Sequence, residues 1–202
     1  DDVCANAMFR DPTEIVSDGD SLSIADTGNG IVRAVRSPLE SACRVEPLAG
    51  APLVRPRGLA WMLADPDHLY ISDEGTNRIY RFTLSSTELA AIAGTGENDW
   101  QDSPVGLEAK FYQPQGIDSN GIVLIVADAG NRLLREIRLE DPFPVTTMAG
   151  QALSSGCVDG ITRGTAARMR NPGCIAFEET GDSAFNKIFF CDEGCDAIRI
   201  VK

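Results

Sequence analysis

The chain has 202 residues, of which 43% are apolar, and its 30 acidic and 18 basic residues leave a formal net charge of −12. This apolar content suffices for a folded core, yet no apolar stretch approaches the roughly 18 residues needed to cross a bilayer. A negative surface repels phosphate backbones, and the basic residues are scattered rather than clustered. The composition therefore predicts a globular chain with no membrane span and no nucleic-acid partner.

The first predicted element is a hairpin in the stretch LSIADTGNGIVRAV, residues 22–35. Two short β-prone runs flank Asp-Thr-Gly-Asn, and a glycine-bearing turn between such runs is typical of paired strands. Similar stretches follow at 71–82, 126–137 and 190–201, each with an aspartate, a glycine two residues later and an apolar run that contains arginine. The same hairpin is therefore predicted four times.

Four aspartates and four glycines hold equivalent positions in these hairpins. They are Asp26, Asp73, Asp128 and Asp192, followed by Gly28, Gly75, Gly130 and Gly194. We expect each glycine to take the positive φ of a tight turn, and each aspartate to accept hydrogen bonds from backbone amides of that turn. The role predicted for these residues is structural rather than catalytic.

Further strands are predicted on both sides of each hairpin. Upstream, a proline opens a short strand, at Pro12, Pro56, Pro114 and Pro172, and proline suits the first residue of a strand because no ladder amide is needed there. Downstream, the first three copies end in a strand that closes on Ala-Gly. Each copy is thus a unit of four short strands, a to d. Such repeats predict an all-β fold, a β-propeller of four-stranded antiparallel blades.

The copies make the chain a single propeller segment, 1–202, with four visible blades. The blades are predicted at about 8–50, 51–94, 111–150 and 169–202, with long linkers from strand d to strand a at 95–110 and 151–168. The last copy ends after its third strand, which leaves two interpretations open. Either residues 1–5 supply the missing strand and close a four-bladed ring, or the chain is part of a larger ring, the interpretation that we favour.

These residues resemble NHL repeats, whose blades carry a hairpin of the form V-A-D-x-G-N-x-R-I. Residues 71–79 keep its Asp, Gly, Arg and Ile, and residues 126–131 and 24–29 match its first half. The linker at 93–117 resembles that of extracellular and bacterial members, while the last blade departs furthest, with Cys195 in place of the usual Asn. The resemblance implies a ring of about six blades that serves mainly as a rigid binding platform, as in teneurins.

Six cysteines and a single histidine favour disulfides over zinc ligation. The cysteines are Cys4, Cys43, Cys157, Cys174, Cys191 and Cys195. Since disulfides persist in oxidising compartments, this count predicts an extracellular, cell-surface or secretory-lumen location.

The positions of four cysteines on the last blade suggest which of them pair. The d–a linker and the turn between strands b and c lie on the same rim of a blade, which brings Cys157 near Cys195. Pairing of strands a and b sets Cys174 opposite Cys191, so we predict these two bridges. The two N-terminal cysteines fall on opposite rims of the first blade, and geometry does not favour a bond between them.

Catalytic chemistry finds little support in the sequence. The single histidine, His68, falls in an a–b loop, where it alone cannot provide a zinc site or a hydrolytic triad. Glu14, Asp118 and Glu178 are near strand a but share no pattern, and the acidic loop at 17–21 is explained by an ordinary turn, although structural calcium would be compatible with it. We therefore assign no catalytic residue, no metal-binding residue and no cofactor.

The predicted function is a non-catalytic interaction or structural module, part of a larger secreted or surface protein or assembly. It is expected to bind a protein, a neighbouring subunit or a carbohydrate through one rim. The alternative is a fragment of a metal-dependent propeller hydrolase or lyase, and an RNA-binding NHL module is favoured least because no basic face is visible. The linker at 96–106 offers Trp100 as an aromatic contact residue, unless Trp100 instead caps a blade interface.

Overall fold

The structure, a computed structural model, describes residues 2–39, 42–62, 65–159, 166–178 and 187–201. Short strands joined by tight turns account for most of these residues, as the β-prone runs between polar turns predict. The strands form four antiparallel sheets. None of the described segments is a helix with the length and hydropathy needed to cross a membrane.

Each sheet is built from strands that are close in sequence. The first has the order β1-β5-β4-β3-β2, with β1 (Asp2–Val3), β2 (Pro12–Ser17), β3 (Ser21–Asp26), β4 (Ile31–Arg36) and β5 (Arg44–Ala49). The second contains β6 (Pro56–Met62), β7 (Asp65–Asp73), β8 (Arg78–Thr83) and β9 (Glu88–Ala93). The third contains β10 (Pro114–Ser119), β11 (Val123–Asp128), β12 (Leu133–Arg138) and β13 (Val145–Gly150). The fourth contains β14 (Pro172–Phe177), β15 (Ile188–Asp192) and β16 (Ala197–Val201).

The four sheets are arranged as the blades of a β-propeller, which confirms the predicted fold. Strand a of each blade, namely β2, β6, β10 and β14, begins at the predicted proline. These strands lie innermost, where β2 contacts β6, β6 contacts β10 and β10 contacts β14. From there each blade runs outward through consecutive antiparallel hairpins.

Three apolar clusters fill the spaces between neighbouring blades. Because side chains alternate along a strand, one strand contributes to two clusters. In β8, Ile79 packs towards the third blade and Tyr80 packs towards the first, and both are buried. We call the face that points to the next blade the forward face and the opposite one the backward face. Since burying a side chain of this size contributes about 1.5–3 kcal/mol, stacking of blades is the main source of stability.

The N-terminal strand is not where one interpretation of the sequence put it. β1 does not complete the fourth blade but pairs with β5 at the outer edge of the first blade, with Asp2 opposite Val45 and Val3 opposite Arg44. Within residues 166–178 and 187–201, the fourth blade has three strands, in the order β14-β15-β16.

Three disulfides link the described cysteines, and both predicted bridges are among them. Cys157 joins Cys195 with an S–S distance of 2.08 Å, and Cys174 joins Cys191 with an S–S distance of 2.00 Å. The third bridge, between Cys4 and Cys43, corrects the expectation that geometry would not favour it. Since β1 runs beside β5, the N–H of Cys4 donates to the carbonyl of Cys43 at 3.3 Å and the two Cα atoms lie 5.5 Å apart.

Candidate binding surface on the linker rim

A buried aspartate ends strand b of every blade, on the rim that the d–a linkers also reach. The side chains of Asp26, Asp73, Asp128 and Asp192 have no exposed surface. In the second blade, the N–H groups of Val54 and Arg55 donate to Asp73 at 2.9 and 2.6 Å. The equivalent donors in the other blades are Arg10, Tyr112, Arg170 and Asn171.

These donors belong to the segment just ahead of strand a, not to the turn after strand b as the sequence suggested. The exception is Gly75, whose N–H in the turn also donates to Asp73 at 3.2 Å. The aspartate therefore joins the end of strand b to the linker of its own blade. N–H groups of that linker would be costly to bury without a hydrogen-bond acceptor, and the aspartate side chain provides one.

The four motif glycines do not have the positive φ that the sequence predicted. The left-handed residue of each hairpin comes later, at Gly30, Asn77, Arg132 and Asp196, with φ between 50° and 67°. Glycine is required at the motif positions because the linker passes close to the hairpin. A Cβ on Gly28 would lie 2.7 Å from the carbonyl oxygen of Arg10, and one on Gly130 would lie 2.6 Å from the carbonyl oxygen of Tyr112.

An arginine seven residues after the aspartate ties the same rim together in the first, third and fourth blades. Arg135 is fully buried, and its guanidinium donates to Asp128 at 2.8 Å. It also donates to the backbone carbonyls of Lys110 at 2.9 Å and Gln101 at 2.8 Å, so it holds the linker down. In the fourth blade, Arg199 donates to its own motif aspartate at 2.9 Å. This role of the arginine was not predicted from the sequence, although its constant separation from the aspartate is visible there.

Burial dominates the ionisation of the aspartate in the third blade. Desolvation raises the pKa of Asp128 to about 6, and the positive charge of Arg135 opposes that rise. Hydrogen bonds from Asn131 and from the N–H of Tyr112 act in the same direction as Arg135. Burial thus favours the neutral form of Asp128, whereas Arg135 and the hydrogen-bond donors favour its carboxylate form.

The linker between the second and third blades is fastened from both sides. From the second blade, the amide of Asn77 donates to the side chain of Asn98 at 2.5 Å. From the third blade, the amide of Asn131 donates to the carbonyl of Asp99 at 2.9 Å. These bonds hold two adjacent residues just ahead of Trp100, and Arg135 holds the carbonyl of Gln101 just after it.

Trp100 lies on this fastened segment, and 44% of its surface is exposed. Its backbone N–H donates to the carboxylate of Asp99 at 2.9 Å, and Trp100 does not belong to any of the three inter-blade clusters of the described residues. Glu97 and Asp99 are close to it in sequence, and the ammonium of Lys110 lies 2.6 Å from the carboxylate of Glu97 and 3.6 Å from that of Asp99. A rigid loop that presents an aromatic side chain provides contact area at low entropic cost.

A polar cleft of about 130 Å³ lies where the inner strands meet. It is lined by Thr13, Glu14, Arg57, Gln115, Gly116, Gly173, Cys174 and Glu193. The Arg57 guanidinium lies 3.3 Å from the Glu74 carboxylate, so its charge is partly compensated. Burial raises the pKa of Glu14, and the nearby charge of Asp118 adds to that rise, against one backbone hydrogen bond. This lining suits a small polar group.

Two of the residues considered for catalysis, His68 and Asp118, form hydrogen bonds within the fold. The imidazole of His68 is hydrogen-bonded to Asp65 at 2.7 Å, and Asp65 also accepts a hydrogen bond from Tyr70 at 3.2 Å. Burial, together with the charge of Asp65, raises the pKa of Tyr70 to about 12. Asp118 accepts a hydrogen bond from the N–H of Phe177 at 2.8 Å, which joins the third blade to the fourth.

The acidic positions weighed as metal ligands have similar local roles. Asp18 accepts hydrogen bonds from the N–H groups of Asp20 and Ser21 at 2.9 and 2.6 Å, as in an ordinary turn. Glu178 is paired with Lys187 at 2.8 Å. Among the described residues, no three histidine, cysteine, aspartate or glutamate side chains converge as a metal-binding group.

Comparison with known proteins places these repeats among relatives. NHL repeat-containing protein 2 of Gallus gallus is 32% identical over 111 residues, which are 55% of this chain and 15% of that protein. An auxiliary nutrient binding protein from Bacteroides ovatus superposes with a TM-score of 0.71 at 20% identity, over 96% of this chain and 49% of that one. A second one, from Bacteroides thetaiotaomicron, gives 0.70 at 21% identity, over 90% of this chain and 45% of that one. No protein-family model matches the chain.

Each match covers only part of the relative's own chain. The chain spans 15% of the length of the curated relative and about half of each solved chain. At such identities the solved structures show the fold alone. The hairpins, the four blades and the sequence relative together support the similarity of this chain to NHL-repeat β-propellers.

Proposed function

We propose that this chain is a non-catalytic binding module that presents its linker rim to a protein or carbohydrate partner. The observation that carries the proposal is the exposed indole of Trp100 on a linker held by hydrogen bonds from two blades. Aromatic side chains on fixed loops are frequent anchors of recognition because little entropy is lost when they bind.

The chemistry around Trp100 defines the partner that would fit. The indole offers an apolar face, and the carboxylates of Glu97 and Asp99, which are close to Trp100 in sequence, are mostly exposed. An apolar face with flanking acceptors suits a sugar ring with its hydroxyl groups, or a neutral to basic peptide. The net charge of −12 disfavours an anionic partner in either class.

Two further findings support a binding module outside the reducing cytosol. Both solved chains compared above are nutrient-binding proteins by name, and this chain covers about half of each. The three disulfides favour an oxidising compartment, so we place the chain in a secreted or cell-surface protein.

The test is a binding screen with immobilised glycans and with proteins of the same compartment, followed by calorimetry on the strongest ligand. Trp100→Ala should weaken that ligand by about 30-fold or more, the loss typical of a central aromatic anchor. Ile122→Ala is the matched control, since Ile122 is 71% exposed but lies in the turn at the opposite end of the third blade. Unchanged binding by Trp100→Ala would contradict the proposal.

The same material separates a binding module from the alternative of a metal-dependent hydrolase or lyase. Elemental analysis of the purified chain for calcium and zinc, with assays of lactone and ester hydrolysis, should give neither stoichiometric metal nor turnover. Metal at one equivalent together with turnover would favour the enzyme instead.

A further inference from the structure

In the first two blades, the second residue of strand a contacts the first residue after strand b through its side chain. In the first blade these residues are Thr13 and Thr27, whose hydroxyl groups are hydrogen-bonded at 2.6 Å. In the second blade they are Arg57 and Glu74, with the guanidinium 3.3 Å from the carboxylate. The two positions are therefore side-chain partners where both carry polar groups.

The fourth blade keeps the acidic partner of this pair and lacks the basic one. Glu193 follows strand b as Glu74 does, whereas Gly173 takes the place of Arg57 in strand a. A Cβ on Gly173 would lie 3.4 Å from Oε1 of Glu193, so the carboxylate borders the place of the missing side chain. Its Oε2 accepts a hydrogen bond from the amide of Asn171 at 3.0 Å. That amide is neutral, so among the described residues no cation compensates the charge of Glu193.

The place left by the missing side chain belongs to the polar cleft of about 130 Å³ at the inner strands. Gly173 and Glu193 both line this cleft, and Oε1 of Gln115 lies 3.7 Å from the same Cβ position. Since a water molecule takes about 30 Å³ in the liquid, the cleft has room for a group of about four heavy atoms. These three residues come from the third and fourth blades, which are consecutive in the chain.

The charges of the cleft favour a cation. Its lining contains the carboxylates of Glu14 and Glu193 and one guanidinium, that of Arg57. Arg57 is paired with Glu74, which lies outside the lining. Burial raises the pKa of Glu14, and the charge of Asp118 adds to that rise. A positive charge in the cleft would stabilise both carboxylates and oppose the rise.

We propose that this cleft binds a guanidinium group of a ligand, which occupies the place left by Gly173 and pairs with Glu193. The ligand reproduces in the fourth blade the contact that Arg57 makes within the second. Its N–H groups donate to the carboxylate of Glu193 and to the amide oxygen of Gln115. A planar guanidinium fits a carboxylate better than a lysine ammonium does, because its donors form a fixed fork. The site is separate from Trp100 and goes beyond the binding surface proposed there.

The test is a titration of the 202-residue chain with argininamide, followed by heteronuclear NMR. The N–H of Gly173 and the side-chain amide of Gln115 should shift, whereas citrullinamide, in which a neutral urea group replaces the guanidinium, should shift neither. The peptide Gly-Arg-Gly separates two sources of the same group. If it binds as tightly as argininamide, the ligand is an arginine side chain of a protein, and if argininamide alone binds, the ligand is a free small molecule.

Two substitutions test the contact itself. Glu193→Gln removes the charge and should raise the dissociation constant of argininamide at least about tenfold, because a charged pair is lost. Gly173→Arg places a guanidinium of the chain itself in the cleft and should abolish binding. Its Cβ meets the side-chain ends of Glu193 and Gln115 at ordinary distances, so this variant should fold. Glu140→Gln is the matched control, since it removes an exposed carboxylate at the opposite end of the third blade and should leave the constant unchanged.

Several outcomes would overturn the proposal. Equal shifts with argininamide and citrullinamide, or no shift with either at millimolar concentration, would show that the cleft does not recognise a guanidinium. An unchanged dissociation constant in Glu193→Gln or in Gly173→Arg would place the ligand elsewhere. If calcium shifts the same amides and argininamide does not, the cleft binds a metal ion instead. Trp100→Ala should leave argininamide binding unchanged, so a failure at this cleft and a failure of the surface at Trp100 are separate results.

Discussion

The third blade and the first blade carry the same aspartate and arginine, yet they bury them differently. In the third blade, Arg135 and Asp128 have no exposed side-chain surface, and their charged atoms are 2.8 Å apart. In the first blade, Arg33 lies 3.7 Å from Asp26 and donates instead to the carbonyl of Met8 at 2.8 Å. The same residue pair is therefore a buried ion pair in one blade and a looser contact in the other.

The linkers explain the difference. The segment ahead of the third blade folds over Arg135, with the carboxylate of Asp102 and the ring of Phe111 close to the guanidinium. The segment ahead of the first blade gives Arg33 one carbonyl and the ring of Phe9, at 4.9 Å from the centroid. The hairpin motif thus places the arginine near the aspartate in both blades. The linker determines how far the pair is shielded from water.

Replacing each arginine in turn gives the largest contrast. Arg135→Met should cost about 3–5 kcal/mol of unfolding free energy, because it leaves the carboxylate of Asp128 buried without its countercharge. Arg33→Met should cost about 1.5–3 kcal/mol, the range for losing one hydrogen bond from a charged donor. Urea unfolding followed by tryptophan fluorescence measures both values, and equal losses would remove the distinction between the two blades.

A glycine substitution sharpens the role of the close linker contact. Gly130→Ala should cost about 1–3 kcal/mol, because its Cβ would meet the carbonyl oxygen of Tyr112 and force the linker away. Gly50→Ala is the matched control in the first blade. Its Cβ would meet only Ile31 at 3.7 Å, an ordinary contact, so its effect should stay within about 0.5 kcal/mol. A thermal melting point unchanged in Gly130→Ala would show that the linker is not held as described.

Much of this fold was visible in the sequence because its signals are local. The prolines at the start of strand a, such as Pro56, and the repeated hairpins depend on neighbouring residues, and they were predicted correctly. The bridge between Cys174 and Cys191 followed from the predicted pairing of strands a and b in the last blade. Because the blades repeat, the proline and the hairpin motif each occur four times in the sequence, which strengthens the prediction.

The contacts that the sequence analysis missed connect segments that are distant along the chain. The N–H of Arg10 reaches Asp26 across 16 residues, and no turn preference encodes that bond. Likewise, the bridge between Cys4 and Cys43 depends on β1 pairing with β5, which no pattern within residues 1–5 announces. The proposed binding surface at Trp100 shares this property, because the hydrogen bonds that hold its linker come from side chains of two different blades.

The central claim is that buried aspartates hold the linkers and so make this rim rigid, and amide hydrogen exchange measured by NMR tests it most directly. The N–H of Tyr112, bonded to Asp128 at 2.8 Å, should exchange as slowly as the amides of the adjoining strands. The N–H of Trp100, bonded only to the exposed carboxylate of Asp99, is the internal control and should exchange quickly. Equally fast exchange at Tyr112 and Trp100 would contradict the account.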